Sequence, residues 1–153
     1  MKDVWALSLH HIEKQKIKVT LQTKITYGAD KEIYELTTFG TSMYKGSDLY
    51  LQYTEESEAG TTNTTIKHKP NETVLLRGGA FKMRQLFRLQ ETTNGHYENV
   101  YGMFGLRTTT NRISHQWDEQ KQEGTLTLRY QLHMQGSEPG QYEMTILYKN
   151  MTK

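Results

Sequence analysis

The side chains of this sequence that could do acid–base or metal chemistry are its six histidines and its carboxylates. His10, His11, His68, His96, His115 and His133 are scattered along the chain, and only the adjacent His10 and His11 are near each other. Neighbours in a strand leave on opposite sides, whereas zinc needs three or four ligands converging on one point, so no metal site is expected and the histidines are placed on surfaces and in turns. Glycoside chemistry needs two carboxylates flanking the bond at a set separation. Asp30 and Asp48 fall in turn sequences, Asp118 in a polar loop and Asp3 in the N-terminal tail. Glu35 shares one alternating face with Ile33 and Phe39, while Tyr34 and Leu36 occupy the other, and either face can be the inner one. No second carboxylate pairs with it. The chain has no cysteine, which removes thiolate nucleophiles, disulfides and Cys-ligated zinc, and it has no G-x-S-x-G nucleophile elbow. With no catalytic residue and no cofactor motif, the expectation is a protein that is not an enzyme.

The more informative residues are polar groups that interrupt apolar rows. Gln85 sits between Met83 and Phe87, and Asn99 between Tyr97 and Tyr101. A buried amide without a partner costs about 1–3 kcal/mol, so each must meet a backbone group, a water or a ligand. An internally satisfied amide is the plainer reading, but binding cavities also combine apolar walls with a few placed polar groups. Gln85, Asn99, Tyr101 and Tyr130 are therefore candidates to line a lumen, and the phenol of Tyr130 needs a partner by the same reasoning. Arg77, in "LLRGG", is a cation at the end of an apolar run beside glycines that admit close backbone approach. It either bridges carbonyls at a rim, the preferred reading, or contacts an anionic ligand. The basic row Lys82, Arg84 and Arg88 alternates with apolar residues and reads as a solvated outer face. A formal net charge of only +2 speaks against a nucleic-acid partner.

These residues must be positioned by strands. "GTLTLRYQLHMQG" alternates without a break, with Leu126, Leu128, Tyr130, Leu132 and Met134 on one parity and Thr125, Thr127, Arg129, Gln131 and His133 on the other. The same period runs through Ile17, Val19, Leu21, Thr23, Ile25 and Tyr27. Turn signals recur at "GAD", "KGSD", "PN" and "GSEPG", and Asn94-Gly95 reads as a two-residue hairpin turn. The chain of 153 residues suits one domain, and its wealth of Thr and Tyr suits a pleated, half-buried surface. About nine or ten strands with short connections predict an all-β fold, a single closed antiparallel up-and-down barrel over residues 16–153, with a two-sheet sandwich as the structural alternative. Residues 1–15 are set apart, because Trp5, Leu9 and Ile12 recur at helical spacing, as in a short helix or an extension. "VWALSL" is too short for a signal-peptide core or a membrane span, so a cytoplasmic protein without membrane contact is expected.

Two stretches, "LYLQYTEE" followed by "VLLRGGAFKMRQLF" and "GTLTLRYQLHMQG" followed by "YEMTILY", with "LRTTT" between them, resemble the YwiB-like family of uncharacterised bacterial proteins. The resemblance runs from Ile17 to Tyr148 and matches at Arg77, Gly79, Met83, Gln85, Phe87, Gly124 and Tyr130. It implies a calycin-type, lipocalin-like closed barrel, an architecture in which many relatives hold a small apolar ligand in the lumen. It carries over no catalytic residue, and it departs at Glu143, where an Asn is expected. The leading functional expectation is non-catalytic binding of a small, mostly apolar molecule in the lumen, with no cofactor and no metal. The alternatives are a side-chain-filled barrel serving as an interaction or structural module, and a hydrolase- or hydratase-like enzyme.

Overall fold

The computed structural model describes residues 14–151. Helical spacing at Trp5, Leu9 and Ile12 lies outside the described residues, and Gln15 already belongs to the first strand. The described chain forms ten strands in order: β1 (Gln15–Tyr27), β2 (Asp30–Lys45), β3 (Asp48–Ser57), β4 (Gly60–Lys69), β5 (Glu72–Gly79), β6 (Lys82–Arg88), β7 (Thr92–Asn99), β8 (Gly102–Asp118), β9 (Glu123–Met134) and β10 (Gly140–Asn150). Each pairs antiparallel with the next, and β10 closes on β1 from Ile17 opposite Asn150 to Thr26 opposite Gln141. A ring of this kind leaves no whole strand as a free sheet edge. The sandwich alternative is thereby ruled out.

The side-chain period decides what each face does. Ile17, Val19 and Leu21 of β1 and Leu126, Leu128 and Tyr130 of β9 are buried inside, while Lys16, Lys18, Thr20, Arg129 and Gln131 are exposed outside. An apolar interior under a polar exterior reverses the arrangement of a membrane-spanning barrel, whose outward band is apolar. The barrel ends differ. Connections β2–β3, β4–β5, β6–β7 and β8–β9 lie at one end, which Ile17, Leu49, Phe87, Leu126, Ile146 and Tyr148 fill. Barrel diameter grows with strand number, and eight strands already leave an interior that side chains can fill, so ten leave room to spare. That room lies at the opposite end.

The strand count agrees with expectation, but the boundaries between residues 89 and 118 do not. Asn94-Gly95 is no turn; both residues lie inside β7, opposite Arg107 and Leu106 of β8. The chain reverses earlier, after Arg88, where Gln90 takes φ +66° and its N–H donates to the Thr110 carbonyl at 2.8 Å. Gly95 is needed for close approach: a Cβ there would lie 2.1 Å from the Arg84 carbonyl oxygen. The β6–β7 ladder is short, joining only Lys82, Met83 and Arg84 to Glu98, Tyr97 and His96. Past it the Thr93 hydroxyl donates to the Leu86 carbonyl, and to that of Thr108 at 3.3 Å. A side chain thus stitches the wall where backbone pairing stops.

Candidate functional site

A cavity of about 270 Å³ occupies the open end of the barrel. Strand register assembles its wall. Arg77 of β5 stands opposite Met83 of β6, which stands opposite Tyr97 of β7. Across the lumen Tyr142 of β10 lies between Ile25 of β1 and Tyr130 of β9. Leu21, Phe81, Leu106, Leu132, Met134 and Met144 complete the apolar lining, and Thr23, Tyr34 and Gln85 add polar groups.

Among the residues expected in the lumen, Gln85, Tyr130 and Arg77 line this cavity. Gln85 is buried, and its Nε2 donates to the Thr108 hydroxyl at 3.0 Å, so its amide is at least partly satisfied internally. The Tyr130 ring stacks on Tyr142 with centroids 5.2 Å apart and meets Phe87 edge-on at 4.8 Å. Tyr142 in turn shares a hydrogen bond of 2.8 Å with the hydroxyl of Tyr27. Burial pushes both Tyr130 and Tyr142 well above the ordinary phenol range. Tyr34 is raised to about 12, first by burial and then by donating to Glu55 Oε2 at 2.5 Å. Among the described residues Arg77 is the only formally charged side chain on the cavity wall. Its guanidinium lies 5.9 Å from the Phe81 ring centroid, it makes no ion pair among the described residues, and its buried Nε has no hydrogen-bond partner.

Asn99 and Tyr101 are corrections. Neither lines the cavity: Asn99 Oδ1 accepts the Tyr101 N–H at 2.8 Å in the β7–β8 turn, and Tyr101 is 86% exposed. Alternation ends where a strand turns, so the inward row stops at Tyr97. Glu35 faces outward, because Leu21 opposite Leu36 sets Tyr34 and Leu36 inside; it accepts a hydrogen bond from Gln22 at 3.0 Å. Lys82, Arg84 and Arg88 are exposed, with Arg88 paired to Glu72 at 3.1 Å. Glu143 pairs with Arg129 at 2.9 Å on the outer face, and that bond holds its carboxyl below the usual range. The departure at Glu143 therefore lies away from the cavity.

Sequence reasoning missed two features. Tyr34, Tyr97, Tyr142 and Phe81 line the cavity, and the alternation of "YEMTILY" already carried the signal for Tyr142. The histidines are not all scattered: the rings of His68 and His115 lie 5.3 Å apart at the packed end. His68 Nδ1 is hydrogen-bonded to the Thr73 hydroxyl at 2.9 Å, and His115 Nε2 to the Tyr148 hydroxyl at 2.7 Å. Burial, and then His115, lowers His68 to about 4; burial also lowers His115. Closure of the barrel brings β4 and β8 face to face, which linear order does not reveal.

The model of a domain of unknown function, DUF1934, matches residues 19–146. The uncharacterised β-barrel protein YwiB of Bacillus subtilis (strain 168) is 32% identical over 141 residues, covering 91% of this chain and 98% of that protein. The crystal structure of the ywiB protein from Bacillus subtilis superimposes with a TM-score of 0.83 at 28% identity, covering 94% of this chain and 98% of that one. Sequence similarity along nearly the whole barrel, and a backbone that follows the same path, lead to one assignment: the chain belongs to the DUF1934 family.

Proposed function

We propose that the protein binds, without catalysis, a small and mostly apolar molecule in the open half of its barrel. The carrying observation is the cavity itself, walled by apolar and aromatic side chains with a few polar groups, above an end packed solid. At about 270 Å³ it falls just short of the ~300–1,000 Å³ of drug-sized sites, so its guest is small. Binding is favoured over catalysis because the phenols of Tyr34, Tyr130 and Tyr142 are displaced upward, away from the neutral range in which proton transfer is efficient. Native mass spectrometry of protein purified without denaturation tests the proposal. Wild-type protein is expected to carry or take up a small apolar molecule, and Gln85→Leu to weaken that uptake while leaving the barrel folded. A wild-type barrel that takes up nothing from a panel of small apolar compounds overturns it.

A second reading, an interaction module, has an observation of its own. Val100, Tyr101 and Met103 are exposed apolar residues at the β7–β8 hairpin, on the same end as the cavity. Concentration-dependent association in light scattering, abolished by Tyr101→Ser, would favour this reading.

A further inference from the structure

The row that contains Arg77 continues into two strands behind it. Thr64 of β4 stands opposite Arg77, and Tyr53 of β3 stands opposite Thr64. Tyr53 is 3% exposed and Thr64 1% exposed, and the hydroxyls of both, like Arg77 Nε, are buried without a hydrogen-bond partner. Arg77 and Thr64 lie within hydrogen-bonding reach of the Tyr53 phenol and favour its ionised form, against the larger effect of burial, but Arg77 Nε and the two hydroxyls are too poorly aligned to satisfy one another. The guanidinium also acts on Tyr34 and Tyr130, so its charge reaches across the lumen. Glu55 of β3, whose charge also acts on Tyr53, accepts the hydroxyl of Tyr34 and forms no ion pair with Arg77. Burying a charge is costly unless it is paired, and each orphaned polar group costs about 1–3 kcal/mol. Every one of the three atoms can donate a hydrogen bond.

Building on the lumen-binding reading, we infer that the guest is a carboxylate-headed amphiphile, its head seated against Arg77, which Tyr53 and Thr64 back from the buried side, and its apolar body against Met83, Leu132 and Met134. A guanidinium fork matches a carboxylate's two oxygens, and a single cation balances a single negative charge. A neutral hydroxyl head can accept a hydrogen bond but leaves the Arg77 charge unbalanced, and a cationic head is repelled by it. At ~30 Å³ per small group, taking the volume share of a water molecule, the cavity accepts a guest on the order of ten non-hydrogen atoms.

Titration calorimetry with octanoate, octanol and octylamine, which share one chain and differ only in the head, tests the inference. Octanoate is expected to bind about ten- to a hundredfold tighter than octanol, the worth of one hydrogen bond to a charged group, and octylamine is expected not to bind. Arg77→Met should lower octanoate to the level of octanol, and Arg77→Lys should restore part of the difference. The wild-type comparison needs no variant, so it stands even if Arg77→Met fails to fold. Equal affinities for octanoate and octanol in the wild type overturn the anionic head while leaving the lumen site in place. Failure of every acid from hexanoate to dodecanoate, and of the matching alcohols, to bind removes the lumen reading and this inference together.

Discussion

His68 is a residue whose surroundings move its protonation well away from the neutral range. It is buried against His115, bonded to Thr73, and held at about 4, below the ordinary 6.5 of a histidine. The unfolded chain therefore takes up this proton first as the solution is acidified. Stability from this site is complete above about pH 6.5 and drains away as pH falls toward about 4. The loss is on the order of 1–3 kcal/mol. Urea melts across that window should show the decline, and His68→Gln should flatten it relative to wild type. A parallel pH profile in the variant would mean that His115 and the carboxylates carry the acid limb. At this scale the sequence was partly legible. Gln85 was found because it interrupts an apolar row, whereas Asn99 interrupts a similar row that had already reached its turn.

Between β6 and β7 the wall is held by the fewest paired residues, Lys82 to Arg84, while β1 and β2 pair along their length from Gln15 opposite Ser42 to Tyr27 opposite Asp30. Amides flanking the β6–β7 junction should exchange with deuterium faster than those of the β1–β2 ladder, because local opening there breaks less structure. Gly95→Ala should widen this weakness. Its Cβ would meet a backbone carbonyl at 2.1 Å, which no rotamer change relieves, and overpacking of this kind costs about 1–3 kcal/mol. Unchanged exchange at β6 and β7 in Gly95→Ala would show that the strands have slack. Asn94-Gly95 misled because the same dipeptide suits a hairpin turn and a crowded strand. Only the partner strand's carbonyl tells the two apart.

The barrel as a whole is half core and half cavity. Ile146 lies fully buried at the packed end, and Met134 is half-buried on the cavity wall. Ile146→Ala should therefore cost about 2–5 kcal/mol, the range for emptying a tight core position, whereas Met134→Ala should cost less than about 2 kcal/mol because less of it leaves water on folding. Chemical denaturation midpoints measure both. Equal losses would indicate that the open half is packed as tightly as the other. An apolar guest should raise the melting temperature by binding only the folded state, and the gain should grow with its concentration.

Outside residues 89–118 the sequence alone determined the strands and their alternation, because a period of two residues is a local property of the chain. Short turns between them dictated neighbour pairing and an up-and-down order. Only the tertiary structure decided which half of the barrel is hollow, that Tyr34 rather than Ile33 points inward, that Arg77 stands without a counter-ion among the described residues, and that His68 meets His115. These outcomes depend on register, curvature and distances across the lumen. Such quantities arise when ten strands close into a ring, and no single stretch of chain contains them.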